Sequence, residues 1–81
     1  MLNLEVKTKL TEKEALEHVK KFFGPAGLGL ELTEETTECL SFTGGGGYVD
    51  INVCPEGGKT RITLVTQEWE RQVQKFAASL G

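Results

Sequence analysis

An α+β fold, one antiparallel five-stranded sheet with both helices on one face, is predicted by three observations on the sequence. Five segments alternate apolar and polar residues, and two others carry the apolar stripe of an amphipathic helix. These elements run β-α-β-β-β-β-α, and the links between the last four strands are short enough to read as hairpins. Each strand has only one apolar face, so both helices share a core with the sheet when they lie on the same side of it. The other sheet face is then uncovered.

Each element has its own signal. In LNLEVKT, Leu2, Leu4 and Val6 fall on one face and Asn3, Glu5 and Lys7 on the other, which reads as a half-buried strand. The helix that follows has both ends written in. Thr11 and Glu14 have the spacing of a capping box, Ala15, Leu16, Val19, Phe22 and Phe23 form a core-facing stripe, and Gly24-Pro25 stops it. Four strands are expected next, centred on Leu28–Leu32, Leu40–Phe42, Val49–Val53 and Ile62–Leu64. Their links are Glu34-Glu35-Thr36, the glycine run 44–47, and Pro55-Glu56-Gly57-Gly58. In TQEWERQVQKFAASLG, Thr66 reads as the cap of a closing helix whose stripe is Trp69, Val73, Phe76, Ala77 and Leu80.

Size and charge narrow the function classes. The chain of 81 residues is read as a single domain, 1–81, with 38% apolar residues for its core. A net charge of −3 and a pI near 5.1 give no electrostatic support for nucleic acid or for anionic membranes. No apolar run approaches a membrane span, and MLNLEVKTKL lacks the apolar stretch of a signal peptide. A cytoplasmic location is expected, with Cys39 and Cys54 as reduced thiols. Two cysteines and one histidine cannot complete a Cys/His zinc site in one chain, and no cofactor is expected.

Two glycine-rich stretches raise the question of nucleotide binding. GGKT at 57–60 matches the end of a phosphate-binding loop, but counting back to the required glycine reaches Val53, inside a strand. RITLV after Thr60 is also strand, so no helix N-terminus faces a phosphate. TGGGGY at 43–48 likewise runs into a strand. Both are read as hairpin turns that need positive φ.

The remaining candidates lie on the uncovered face. His18 sits off the helix stripe beside Glu14 and Glu17, where a solvated side chain is expected, and Trp69 is assigned to the core. Strand parity puts Cys39, Cys54, Tyr48, Asp50, Asn52, Arg61, Thr63 and Val65 on the outer face, with Asn3, Glu5, Lys7, Glu31, Thr33, Ser41 and Thr43. A two-residue turn at Gly46-Gly47 pairs Cys39 with Cys54. A four-residue turn instead puts Cys39 opposite Asn52, with Cys54 diagonal. If Cys54 meets Lys59 across the last hairpin, Asp50 and Arg61 become diagonal neighbours and an ion pair, and Val65 lies beside Tyr48.

The element order, closed by the amphipathic helix in VTQEWERQVQKFAASL, resembles one repeat of the TATA-binding-protein fold. It is also similar to the helix-grip group of START-like and pollen-allergen-like domains. The resemblance spans the whole chain as topology and rests on no motif, so it assigns no residue a role. It implies an open sheet face as a binding surface, or a ligand space between sheet and helices. DNA-reading sheets of this kind are basic or apolar, whereas this face mixes Glu5, Glu31 and Asp50 with Lys7 and Arg61. The expected function is a non-enzymatic binding or assembly module, a homodimer or the holder of a protein partner through the open face. The alternative is a small-molecule binder using space near Trp69 and the GPAGLG link.

Overall fold

Seven elements follow one another in the computed structural model, which describes residues 1–25 and 27–80: β1 (Leu2–Thr8), α1 (Glu12–Phe23), β2 (Glu31–Glu35), β3 (Cys39–Gly44), β4 (Gly47–Glu56), β5 (Lys59–Gln67) and α2 (Glu70–Leu80). Ala26 of the GPAGLG link and Gly81 at the end of the last predicted helix lie outside the described residues. The strands form one five-stranded antiparallel sheet in the order β1-β5-β4-β3-β2, so the fold is α+β as the alternation implied. Among the described residues no helix is long and apolar enough to cross a membrane.

One face of the sheet and both helices make the core. Leu40, Phe42, Val49, Ile51, Val53, Ile62 and Leu64 are buried against Ala15, Val19 and Phe23 of α1 and Val73 and Phe76 of α2. Phe23 sits among three other rings, with centroids 4.9 Å from Phe22, 5.2 Å from Phe76 and 5.9 Å from Phe42. The buried threonines are satisfied: Thr60 Oγ1 donates to the Leu10 carbonyl at 2.6 Å and Thr66 Oγ1 to the Tyr48 carbonyl at 2.7 Å. The two edge strands are less fully buried. Leu2, Leu4 and Val6 of β1 pack against the core but stay only half-buried at the sheet edge, and Leu32 of β2 is half-buried as well.

The first helix is capped as expected. Glu14 N donates to Thr11 Oγ1 at 3.2 Å, and Thr11 N donates to Glu14 Oε1 at 3.1 Å. The bond from the Thr11 backbone first, and then one from the Thr11 hydroxyl, hold the Glu14 carboxyl below its ordinary value. At its other end the chain departs from expectation. Leu28–Leu30, assigned to a strand, instead wraps the helix terminus, with Leu28 N donating to Phe22 O at 2.9 Å and Leu30 N to Phe23 O at 3.0 Å. These bonds satisfy helix carbonyls that would otherwise be orphaned, and so delay the strand to Glu31.

The first of the two tight hairpins takes one of its two expected registers, and the last hairpin a register different from the expected one. Both tight turns are two-residue glycine pairs at positive φ, Gly45-Gly46 at 59° and 82° and Gly57-Gly58 at 54° and 85°. These signs are what a type I′ turn requires, and it matches strand twist. The first turn therefore sits one residue earlier than Gly46-Gly47, and Gly47 has become strand. A Cβ at Gly47 would lie 2.1 Å from the Gln67 carbonyl, which excludes a side chain there. The second turn extends β4 through Pro55 and Glu56, beyond the end of β3, where Pro55 has a ladder partner only in β5.

Thr66 does not cap the last helix, because it belongs to β5 and its hydroxyl is used inside the sheet. The chain leaves β5 through Glu68, the one described non-glycine residue at positive φ, 80°, and Trp69 directly precedes α2. A left-handed conformation costs a non-glycine residue roughly 1–2 kcal/mol, partly offset by the entropy glycine would add. Glu68→Gly is therefore expected to stabilise the domain by about 0.5–1 kcal/mol, a rise of a few degrees in Tm measured by circular dichroism.

Candidate interaction face

The uncovered side of the sheet is a lattice of side chains set by strand parity. Across its middle run two rows: Asn3, Val65, Asp50, Ser41 and Glu34; then Glu5, Thr63, Asn52 and Cys39. Lys7, Arg61 and Cys54 make a third row on one side, and Gln67, Tyr48, Thr43 and Glu31 a fourth on the other. All eight expected face residues (Cys39, Tyr48, Asp50, Asn52, Cys54, Arg61, Thr63, Val65) therefore share this side. Parity carried that result, because a change of loop length by two residues leaves every side chain on its own face.

The offsets along the strands differ, and with them the neighbours. Cys39 stands opposite Asn52, with Cys54 diagonal, as in the second of the two expected registers. Both thiols turn to the Asn52 amide oxygen, Cys39 Sγ at 3.2 Å and Cys54 Sγ at 3.9 Å. In the last hairpin Cys54 meets Arg61 rather than Lys59, Asp50 meets Val65, and Tyr48 meets Gln67. The expected Asp50–Arg61 ion pair is therefore absent, and Val65 is a diagonal neighbour of Tyr48. Arg61 lies instead between two glutamates, Nη1 3.8 Å from Glu5 and Nε 3.9 Å from Glu56. Its Nε is buried with no hydrogen-bond partner, because neither carboxylate comes within bonding distance.

Glu34, Glu56 and Gln67 also lie on this face and were missed, Gln67 because it was assigned to the last helix. A bulge in β2 sets both Thr33 and Glu34 against Ser41, and Thr33 Oγ1 donates to the Ser41 carbonyl at 3.2 Å. Beyond the bulge, Glu35 pairs across the ladder with Leu40, whose side is the core side, and forms an ion pair with Lys20 of α1. Nothing in ELTEE announces the bulge, since Thr and Glu fit either an interrupted or an uninterrupted strand.

In the middle of the face lies a depression of about 290 Å³, bordered by Glu34, Cys39, Ser41, Asp50, Asn52 and Val65. The rim is electrostatically uneven. Lys7, Lys59 and Arg61 gather with Glu5 and Glu56 at one corner, while Glu31, Glu34 and Asp50 carry no ion pair among the described residues. Val65 is half-buried opposite Asp50, and Tyr48 is half-buried in the outer row, on the side of Asp50 away from the basic corner. Among the described residues no three His, Cys, Asp or Glu side chains gather as a metal site. His18 is exposed on α1, on the helix side of the sheet, so it cannot act on either thiol.

Trp69 is half-buried rather than part of the closed core. Its indole Nε1 donates to the Gly44 carbonyl at 2.9 Å, and its ring lies against Gly45, where an added Cβ would approach Cζ2 to 2.9 Å. The glycine run is thus both a turn and the seat of this indole. Comparison with protein-family models and with curated proteins finds no match for the chain.

Proposed function

We propose that this protein is a non-enzymatic assembly module whose open sheet face is covered by a second copy of the chain. The observation that carries this is the division of charge on that face. A corner with three cations and two carboxylates lies across the sheet from three carboxylates that are unpaired among the described residues, and Tyr48 and Val65 flank Asp50 of that acidic zone. A two-fold axis through the middle of the face sets the basic corner of each copy against the acidic zone of the other, the self-complementarity an isologous contact needs. Tyr48 then serves as a rigid aromatic anchor beside Asp50. Glu31, Glu34 and Asp50 gain cationic neighbours, which removes the cost of covering unpaired carboxylates.

The space between sheet and helices supports the alternative less well. Phe22, Phe23, Phe42 and Phe76 fill it, with ring centroids 4.9–5.9 Å apart, so a small molecule would have to displace aromatic contacts. Catalysis lacks a paired base and nucleophile on the open face, where both thiols turn to the Asn52 amide and to no other side chain among the described residues.

Sedimentation of the wild type and of Tyr48→Asp at matched high micromolar concentration tests the proposal. The assembled mass of the wild type should fall in Tyr48→Asp, because the substitution removes the aromatic anchor and sets a second carboxylate beside Asp50. A monomeric wild type, or a mass unchanged by the substitution, would remove the open face as the contact.

A further inference from the structure

The two edges of the sheet are not protected alike. β2 is five residues long, carries Glu31, Glu34 and Glu35, and is broken by the bulge at Thr33. Short length, like charges and a bulge are the devices that keep an edge from pairing. β1, at the other edge, has seven residues in unbroken register with β5, no proline and no bulge. Three of its core-side residues, Leu2, Leu4 and Val6, remain half-buried while Ile62 and Leu64 beside them are 0% exposed, against one such residue, Leu32, in β2.

We propose that β1 pairs antiparallel with β1 of a second copy, about a two-fold axis at Val6, joining two sheets edge to edge. The register follows by elimination. Antiparallel partners share a face, so the axis must pass through a residue rather than between two. An axis at Glu5 sets Glu5 against itself, and one at Lys7 sets Lys7 against itself. Like charges directly opposite are destabilising. An axis at Leu4 leaves two strand residues unpaired, as one at Val6 does, but those two include Lys7, and Glu5 then meets only Asn3. An axis at Val6 sets Glu5 of each copy opposite Lys7 of the other, twice, and Val6 against Val6 on the core side.

The charges already on this row favour the arrangement. Within one chain Glu5 is held only loosely by Arg61 at 3.8 Å, and Lys7 by Glu56 at 3.9 Å. Each keeps a side open toward the edge, so Lys7 of a second copy completes an alternating row of Arg61, Glu5 and Lys7. The contact is narrow, and belongs with weak interfaces that form at high protein concentration.

This contact is separate from the open-face one, and the test keeps them apart by using Tyr48→Asp as the parent chain. In that background sedimentation at high micromolar concentration should show a dimer. Glu5→Lys alone, or Lys7→Glu alone, turns both cross-edge pairs repulsive and should weaken it by about tenfold or more. An equimolar mixture of the two variants should recover the dimer as a heterodimer, because one copy then presents two lysines along this edge and the other two glutamates. The double variant Glu5→Lys/Lys7→Glu should dimerise like its parent, and serves if a single variant fails to fold. A monomeric parent, a mixture that stays monomeric, or a double variant that fails to associate would each overturn the edge contact, whatever Tyr48→Asp does to the wild type.

Discussion

Phe23→Ala is expected to lose a large share of the domain's stability. The side chain is 0% exposed and touches Phe22, Phe42 and Phe76, so it joins α1 to β3 and to α2 at one point. Truncating a buried phenylalanine costs about 3–5 kcal/mol, from the transfer of the ring and the cavity it leaves. Folded domains keep only about 0.05–0.15 kcal/mol per residue, about 4–12 kcal/mol for a chain of 81 residues, so this loss is a large share of the whole. Phe23→Leu retains most of the volume and should cost about 1.5 kcal/mol or less. Urea titrations followed by circular dichroism would read the series directly. Two variants of nearly equal midpoint would show that the ring cluster does not hold the helices to the sheet.

Trp69→Ala should give the next largest loss, for a different reason. Trp69 is half-buried, so less apolar area is at stake than for Phe23, but its indole is bonded to Gly44 O at 2.9 Å and covers the Gly45-Gly46 turn. Losing both ring and hydrogen bond should cost about 3 kcal/mol. Trp69→Phe keeps a ring over the glycines and leaves the carbonyl without its donor, at about 1 kcal/mol. For a domain of this size each kilocalorie is worth about 4–8 °C in Tm, so melting curves separate the two variants. A Trp69→Ala protein that melts within two or three degrees of the parent would mean the indole is not anchored on the turn.

These two residues also show where sequence reading succeeds and where it stops. Phe23 was legible because helix periodicity, the Thr11–Glu14 capping box and the Gly24 stop all agree on which face of α1 is buried. Trp69 fits the helix stripe by spacing, yet it precedes the helix, because Thr66 looks the same to a pattern whether it caps a helix or ends a strand. Only the tertiary bond from Thr66 Oγ1 to Tyr48 O distinguishes the two. The sheet shows the same division. Alternation determines which face each residue takes, and placed all eight candidate residues together. It does not determine the offset between strands, which depends on which glycines adopt positive φ. That choice moved Arg61 away from Asp50 and next to Glu5 and Glu56. Glu34 joined the face through a bulge that has no signature in composition or period.

The most direct test of the open face as the assembly surface is a map of amide chemical shifts as the wild-type protein is diluted from high to low micromolar concentration. Open-face association predicts concentration-dependent shifts at Tyr48, Asp50, Asn52 and Val65, with Phe22 and Phe76 between the helices and the sheet unmoved. Shifts confined to the two helices, with the outer face of β3, β4 and β5 unchanged throughout the dilution, would contradict it.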